Sequence, residues 1–451
     1  GWNYIKIDGH NHDSIRSSIK KAQKSKKPTM IACRTSIGFG SPNKANSHES
    51  HGAPLGKDEI ELTRKNLNWN YKPFVIPKDI LGYWRKAGKR SLKEYSSWKL
   101  RLKKSKNIRL FNTTISNDLS LNILEKSRNE FNKLNANTEK ISTRKASQLS
   151  LDVLNKNIPK MIGGSADLTP SNNTKSKELD PIVPDNLDGR YIHYGVREHG
   201  MASIMNGLSL HGGFIPYGGT FLVFSDYCRP SIRLSAMMGL KVIYVMTHDS
   251  IGLGEDGPTH QPVEHIMSLR LIPNLKVFRP ADLYETFDSW IEALKGDGSS
   301  IIALSRQDLK VLNTSTSKRL SFYQNNFCNI ISGNLNKRDL TIVATGSEVE
   351  IGYEASLKLA KKGINSTVIS IPCIEQFNTL SPAKKSRILG SSPIIFVEAG
   401  VSVGWRSILK DNSNIVSVDT FGASGPKNDV YEHFKITKEE IVKKAIRLCS
   451  K

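Results

Sequence analysis

Short apolar runs alternate with amphipathic stretches along most of the chain. Between residues 139 and 312, apolar runs bounded by glycine, proline or polar residues are separated by stretches with helical spacing. Such runs are typical of strands buried on both faces of a parallel sheet. The pattern therefore predicts an α/β fold with parallel sheets. The predicted strands are 160–167, 190–195, 241–249, 275–280 and 300–306, and the predicted helices are 142–154, 197–212 and 282–295.

The same pattern divides the chain into four segments. Residues 1–60 read as strand, helix and strand, which is typical of the end of an α/β unit. Residues 61–138 are polar, basic and short of β-branched runs, so we expect a helical linker there. Residues 139–319 hold the alternating region, and the alternation restarts in residues 320–451 as a smaller α/β domain. The strands predicted in this last segment are 340–347, 365–372, 393–400 and 414–422.

The positive charge of the chain makes nucleic acid a possible partner. The net charge of the 451 residues is +23, and residues 84–110 are the most basic stretch, with Glu94 as their only acid. Aromatic residues interleave with the cations there, as in proteins that bind single strands. Elsewhere the lysines are mixed with Asn, Ser and Ile, which indicates a lysine-rich solvated surface. We therefore do not expect a nucleic-acid partner, and keep such binding as the alternative from another class.

The sequence favours a cytoplasmic protein. No apolar run approaches the roughly 20 residues that span a bilayer, so we expect no membrane contact. The five cysteines include no C-x-x-C pair, which argues against a zinc site or a disulfide framework. Residues 1–15 lack the pattern of a signal peptide. The first residue is Gly1, within an α/β pattern, so we expect the native start to be missing.

Residues 252–257 spell the G-x-G-x-x-G of a dinucleotide-binding loop. Asp282 even follows at a position where the ribose acid could stand. In that motif, however, the third glycine lies within the first turn of a helix. Here Pro258 follows directly, and the carboxylates of Glu255 and Asp256 would repel a pyrophosphate. We therefore exclude a nicotinamide cofactor.

Residues 296–298 (GDG), with Asn325 and Asn326 downstream, suggest a Mg²⁺ and diphosphate site. Thiamin diphosphate enzymes carry such a motif, but they place it at the end of a strand. In this chain it ends a predicted helix and precedes a predicted strand, at the opposite edge of the sheet. We interpret it as an ordinary turn.

An ordered series of motifs resembles the transketolase family. The resemblance covers almost the whole chain and is least distinctive in residues 85–135. Its blocks are DGHNHDS, IGFGSPNKANSHESHGAPLG, TRKASQ, GGSADLTPSN, YIHYGVREHGMASIMNG, GGTFLVFSDY, THDSIGLGEDGPTHQPVE, LSRQ, VATGSEVE and FVEAG.

The resemblance implies three α/β domains, the first of them truncated. Residues 1–60 would be the C-terminal end of the diphosphate-binding domain, and 61–138 a basic helical linker. Residues 139–319 would be the pyrimidine-binding domain, and 320–451 the C-terminal domain. The implied cofactors are thiamin diphosphate and Mg²⁺. We expect the Mg²⁺ ligands in a missing N-terminal segment, no metal ligand among these residues, and no activity of this chain alone.

The resemblance also implies an activity and a homodimer. Transketolases transfer a two-carbon ketol unit from a ketose phosphate to an aldose phosphate in the pentose phosphate pathway. The expected donor is xylulose 5-phosphate, and the expected acceptors are ribose 5-phosphate and erythrose 4-phosphate. Glu198 matches the acid that bonds to the pyrimidine ring of the cofactor, and Phe224 matches a residue stacked on that ring. Phe221 and Tyr227 share helical spacing with Phe224, which core packing alone would explain.

Substrate contacts follow from the same resemblance. An arginine can bind a phosphate through two parallel hydrogen bonds. The residues matching the family's phosphate-end contacts are Arg144, Ser171, His248 and Arg306.

The remaining matches lie near the reacting carbons. Asp256 matches a contact to sugar hydroxyls, and His260 matches a histidine placed to move protons as the ketol bond breaks. His51 matches a histidine close to both the cofactor and the substrate. His48 could simply order its loop.

One enzymatic alternative remains. Dihydroxyacetone synthase shares most of these motifs but uses formaldehyde as the acceptor. The phosphate-end set around Arg144 and Arg306 favours sugar phosphates over formaldehyde.

Overall fold

The computed structural model describes residues 1–116, 119–177, 179–313, 316–406 and 415–450. These residues form two compact units, Gly1–Ser105 and Lys106–Lys451. The break between the units lies inside the predicted 61–138 linker. The predicted domain limits remain predictions.

The first unit begins with a strand–helix–strand motif and continues as helices. Strands β1 and β2 pair in parallel, and Asn11 caps the helix between them through a 2.8 Å hydrogen bond from the Ser14 amide. This confirms the strands and helix predicted for residues 1–60. The later helices α3 and α4 bury none of their residues. The elements are β1 (Asn3–Asp8), α1 (His12–Gln23), β2 (Thr29–Arg34), α2 (Lys57–Asn66), α3 (Lys78–Lys89) and α4 (Leu92–Lys104).

The second unit opens with the alternating region that the sequence predicts. Every strand and helix predicted between residues 139 and 312 is present. The elements are α5 (Ile108–Ile115), α6 (Leu121–Leu134), β3 (Lys140–Ser142), α7 (Thr143–Asn157), β4 (Met161–Ser165), α8 (Thr169–Asn172), β5 (Tyr191–His193), α9 (Glu198–His211), β6 (Ile215–Phe221), α10 (Ser225–Met237), β7 (Ile243–Thr247), α11 (His265–Arg270), β8 (Lys276–Phe278), α12 (Leu283–Lys295), β9 (Ser300–Leu304) and β10 (Asp308–Lys310).

A six-stranded parallel sheet organises this region, in the order β5-β4-β6-β7-β9-β8. Alternate residues of β7 enter two different cores. Ile243 and Val245 pack in one cluster, and Tyr244 and Met246 pack in the other. A sheet covered on both faces explains why its strands are almost continuously apolar. A short antiparallel pair, β10 with β3, ties residues 308–310 to the start of α7.

Strand β6, at the centre of this sheet, has no counterpart among the predicted strands. In its sequence IPYGGTF, Pro216, Gly218 and Gly219 interrupt the β-branched pattern typical of a strand, and the glycines accommodate close neighbours. A Cβ atom on Gly218 would lie 2.4 Å from the Met205 sulfur. Phe221 ends this strand, whereas Phe224 ends a short 3₁₀ turn. The helical spacing of Phe221, Phe224 and Tyr227 therefore does not come from one continuous helix.

The C-terminal part, from residue 316 onward, is a second α/β layer. Its sheet has the order β11-β13-β12-β14-β15, with only β11 antiparallel. The four strands predicted here are present, although the run 414–422 yields only β15 and Asn414 lies outside the described residues. The elements are α13 (Ser317–Asn326), β11 (Asn329–Ser332), β12 (Leu340–Ala344), α14 (Glu348–Ala360), β13 (Ser366–Ser370), α15 (Ile374–Asn378), α16 (Pro382–Leu389), β14 (Ile394–Val397), α17 (Val403–Arg406), β15 (Ile415–Val416), α18 (Lys427–His433) and α19 (Lys438–Cys449).

Two sequence motifs take the structures expected of them. Residues 296–298 lie between the end of α12 at Lys295 and the start of β9 at Ser300, so GDG is a turn at the amino edge of the sheet. The loop 252–257 leads into no helix, because α11 begins only at His265. No helix of the described residues is long and apolar enough to cross a membrane.

Candidate functional site

Five predicted site residues follow five adjacent strands of the parallel sheet. Strands β5, β4, β6, β7 and β9 are neighbours, and their carboxyl ends lie at one edge. Ligands bind in open α/β sheets at this edge. The residues that follow these strands are, in the same order, Glu198, Ser171, Phe224, His248 and Arg306.

Arg144 joins this edge through the first turn of α7. The amide of Thr143 donates to the Ser305 hydroxyl at 3.0 Å, and the amide of Arg144 donates to the Ser305 carbonyl at 3.4 Å. These bonds fix the start of α7 beside the end of β9. The Arg144 Nη1 then donates to the main-chain carbonyl of Ser171 at 2.7 Å. Ser171 is thus held by its backbone, which leaves its hydroxyl available.

The two arginines have no carboxylate partner. Among the described residues, no Asp or Glu lies within salt-bridge distance of Arg144 or Arg306, and the buried Nε of Arg144 has no hydrogen-bond partner. Arg306 is exposed and donates only to the Leu253 carbonyl, at 3.3 Å. Burial and the nearby Arg306 lower the pKa of Arg144. An unpaired pair of guanidinium groups of this kind suits a dianionic ligand.

His248 lies in the same positive cluster, where its imidazole is neutral. It is 4% exposed, and burial together with Arg144 and Arg306 lowers its pKa to about 3. The Thr247 hydroxyl donates to Asn172 Oδ1 at 2.7 Å and lies 3.0 Å from His248 Nδ1. Because that hydroxyl has one proton, Nδ1 must donate to it, and Nε2 carries the lone pair. A bound phosphate would favour protonation of Nε2.

Aromatic rings form a floor beside this cluster. The ring centroids of Phe221 and His248 are 3.8 Å apart. Phe221 and Phe224 are nearly parallel, with centroids 5.6 Å apart and an angle of 11° between the rings. His260 stands edge-on to Phe224 at 5.6 Å, and Tyr227 lies 5.8 Å from Phe224 on its other side. Phe224 is only half-buried, so a flat ligand ring can reach it.

Glu198 is the first residue of α9, where the helix dipole favours a carboxylate. It is half-buried. Its charge adds to burial in raising the pKa of Cys228, which lies one turn beyond Phe224 on α10. Glu198 is therefore close to the start of the helix that follows the aromatic floor. Its role at a cofactor ring stays a prediction.

The remaining predicted residues are less constrained. Asp256 is exposed on the loop after β7, and His260 is half-buried on the same loop with its Nδ1 3.0 Å from the Thr259 hydroxyl. His51 belongs to the first unit, where it is exposed and directly follows a 3₁₀ turn at His48–Ser50. Of these three residues, His260 contacts the aromatic floor through Phe224, and Asp256 lies on the same loop as His260.

Asn172 and Gln307 were not predicted as site residues. Asn172 is fully buried and orients Thr247, and through it His248. Both polar atoms of the Gln307 side chain are buried without partners, against Gly252 of the loop after β7. Each residue lies directly beside a predicted one, next to Ser171 and Arg306. That adjacency was the only signal in the sequence.

A second cluster of titratable groups lies on α10 and α11. His265 is buried, with Nε2 3.1 Å from Asp226 and Nδ1 3.7 Å from Glu264. Each imidazole nitrogen faces a different carboxylate, and both carboxylates are more than half exposed. One ligand atom from each of these three side chains lies within 4.8 Å of the other two. The arrangement is that of an imidazole held between two acids.

The fold and the edge residues together define an α/β protein with a positively charged cluster at the carboxyl edge of a parallel sheet. Three family descriptions match the chain. They are the thiamine diphosphate binding domain of transketolase over residues 1–117, its pyrimidine binding domain over 139–311, and the transketolase-like C-terminal domain over 329–437.

Whole-chain comparisons agree with these matches. A transketolase of Sinorhizobium medicae is 46% identical, over 99% of this chain and 64% of that protein. The structure of a Leishmania mexicana transketolase is similar with a TM-score of 0.89 at 35% identity, over 100% of this chain and 67% of that chain. A Pichia stipitis transketolase in complex with sedoheptulose 7-phosphate gives a TM-score of 0.86 at 33% identity, with the same coverage. The chain belongs to the transketolase family. It spans about two thirds of the length of these relatives.

Proposed function

We propose that this chain supplies the sugar-phosphate and pyrimidine sites of a transketolase. The reaction is reversible transfer of a two-carbon ketol group from xylulose 5-phosphate to ribose 5-phosphate or erythrose 4-phosphate, in the pentose phosphate pathway. Membership of the family supports this proposal, as does the similar Pichia stipitis structure, whose ligand is a sugar phosphate. A cytoplasmic location remains our prediction.

The unpaired arginines are the observation that carries this function. Arg144 and Arg306 lie beside His248, and the charge of the nearby Asp308 acts on Arg144 without an ion pair among the described residues. Holding like charges together costs free energy in the absence of a ligand, and a phosphate dianion would offset that cost. Formaldehyde, the acceptor of dihydroxyacetone synthase, carries no charge. The cluster therefore favours transketolase over this alternative.

The residues at the edge of the sheet also suit thiamin diphosphate. Phe224 is half-buried, and a flat pyrimidine needs a flat aromatic partner. When bound, this cofactor supplies a thiazolium carbon that adds to the substrate carbonyl. Glu198 would hold a proton at a pyrimidine ring nitrogen, within reach of the aromatic floor. We assign no residue of this chain to Mg²⁺.

The loop after β7 would act on the sugar. Asp256 would accept hydrogen bonds from sugar hydroxyls, and His260, edge-on to Phe224, would move a proton at the reacting carbon's oxygen. His51, in the first unit, remains a predicted contact of the cofactor and the substrate. The Ser171 hydroxyl would donate to the phosphate beside Arg144.

The partner we propose is a second copy of the chain. Helices α9 and α10 expose a set of large apolar side chains in the single chain. Apolar patches of this kind mark interaction surfaces, and the helices carry Glu198 and adjoin Phe224. A homodimer through this face would enclose the proposed pyrimidine site. The exposed side chains are Ile204, Leu210, Tyr227, Leu234, Met237 and Met238.

Replacing Glu198 tests this function. In the holoenzyme that contains this chain, Glu198→Gln should lower ketol transfer from xylulose 5-phosphate to ribose 5-phosphate by about 100-fold or more, because a general acid is lost. Glu439→Gln is the matched control, since Glu439 also lies in the first turn of a helix, α19. Near-normal turnover of the Glu198 variant would reduce Glu198 to a helix-dipole residue and contradict the proposal.

A further inference from the structure

The loop that carries three predicted substrate residues is held by the C-terminal part of the second unit. This loop, residues 248–261, contains His248, Asp256 and His260. The C-terminal part contributes no residue to the predicted site. It nevertheless contacts both the inner and the outer half of the loop.

The outer half of the loop is fixed by residues 422–425. The Ser424 hydroxyl donates to the Glu255 carbonyl at 2.6 Å. The Gln261 amide donates to the Ala423 carbonyl at 2.9 Å and to the Gly254 carbonyl at 3.0 Å. The Gln261 side chain thus joins two parts of the loop, at Gly254 and at Gln261, to the C-terminal part. Asp256 directly follows the anchored Glu255.

Close packing between these two segments requires glycine on both sides. Gly257 has a φ of +77°, and a Cβ there would lie 3.2 Å from the Cβ of Ser424. A Cβ on Gly422 would lie within van der Waals overlap of the Gln261 side chain. The glycines therefore let the two backbones approach closely enough for the Ser424 and Gln261 side chains to bridge them.

The inner half of the loop is fixed through a buried arginine. Arg279 is fully buried, and its Nε donates to Asp249 at 2.8 Å. Its Nη1 donates to the Thr345 carbonyl at 3.2 Å and to Glu348, both from the C-terminal part. Asp249 directly follows His248, so the arginine ties this histidine's neighbour to β12 and α14.

Tyr431 of α18 supports the same arginine. Its hydroxyl donates to Glu348 at 3.0 Å. Glu348 accepts from Arg279, which also donates to Asp249. Tyr431 therefore reaches the loop through Glu348 and Arg279.

These anchors act on a strained residue. His248 has a φ of +61°, in the left-handed region that non-glycine residues rarely adopt. Such a conformation costs of order 1–3 kcal/mol and persists only where surrounding contacts determine it. The contacts that do so are those of Thr247 on one side and of Asp249 on the other.

We infer that the C-terminal part is a positioning element for substrate, in which Ser424 and Tyr431 hold the 248–261 loop in its binding conformation. This rests on the proposed function, because the ligand of that loop is the proposed sugar phosphate. The loop's conformation itself can be measured without any ligand.

The double variant Ser424→Ala, Tyr431→Phe removes two hydroxyls and leaves the packing volume nearly unchanged. Calorimetry should give about 10-fold weaker binding of ribose 5-phosphate, with the melting temperature nearly unchanged. In the ligand-free chain, the ring resonances of His248 and His260 should shift. Ser424→Thr keeps a hydroxyl and should restore part of the affinity when it replaces the alanine. Tyr323→Phe is the control, because the buried hydroxyl of Tyr323 has no partner among the described residues.

The results separate the two claims. If the parent chain does not bind ribose 5-phosphate, the proposed phosphate site is wrong, and the ligand-free resonances still decide the positioning role. Unchanged histidine resonances in the double variant would overturn the inference. So would equal affinity in the parent and the double variant.

Discussion

His248 and Asp249 are neighbours in sequence, but they belong to two charge clusters of opposite balance. His248 lies with Arg144 and Arg306, and no carboxylate among the described residues pairs with that cluster. Asp249 lies with Arg279, which also contacts Glu348 and has Glu398 3.8 Å from its Nη1. One cluster is partly exposed and has excess positive charge, whereas the other is fully buried and has excess negative charge.

The two clusters differ in what completes them. Most buried charges around Arg279 are paired within the protein, since Arg270 and the Thr345 hydroxyl also contact Glu398 and lower its pKa to about 2. Asp249 Oδ1 alone of these carboxylate oxygens has no hydrogen-bond partner among the described residues. Such a network of internal pairs fixes structure. The cluster around His248 sets two arginines against the nearby charge of Asp308, so part of its electrostatic cost remains until an anion binds. The balance of charge around each arginine therefore distinguishes an arginine that stabilises the structure from one that is available to bind a ligand.

Removing the buried arginine should give the largest effect on stability. Arg279→Met leaves Asp249, Glu348 and Glu398 buried without their shared cation, and we expect a loss of about 3–5 kcal/mol in the free energy of unfolding. Urea denaturation measures this loss. The control is Arg306→Ala, which is exposed and should change stability by less than about 0.5 kcal/mol. Equal effects of the two variants would remove the distinction between the clusters.

Titration of His248 gives a smaller and more local effect. Its pKa of about 3 lies below the ordinary value of about 6.5, so the unfolded chain takes up this proton first. Its contribution to stability is therefore present above pH 6.5 and is lost as the pH falls towards 3. NMR of the ring, assigned with His248→Gln, should show a neutral imidazole at pH 6. Adding ribose 5-phosphate should raise its pKa. A midpoint near 6.5 in the ligand-free chain would contradict the positive cluster.

The sequence predicted the local elements better than the contacts between them. Apolar runs located the strands around β7, but β6 escaped because Gly218 and Gly219 replace the β-branched residues that signal a strand. The motif resemblance located the site residues that follow each strand, since each of them lies close to its strand in sequence. It did not reveal Arg279, whose partners Asp249 and Glu348 are 30 and 69 residues away in sequence. Such long-range pairing leaves no periodic signal.

Binding of ribose 5-phosphate and of ribose, each measured by calorimetry, tests the phosphate site most directly. The chain should bind the phosphorylated sugar, and the double variant Arg144→Ala, Arg306→Ala should bind it about 100-fold more weakly, because charged hydrogen bonds contribute about 1.5–3 kcal/mol each. Affinity for ribose should not change. If the double variant retains the parent's affinity for ribose 5-phosphate, the unpaired arginines do not form a phosphate site.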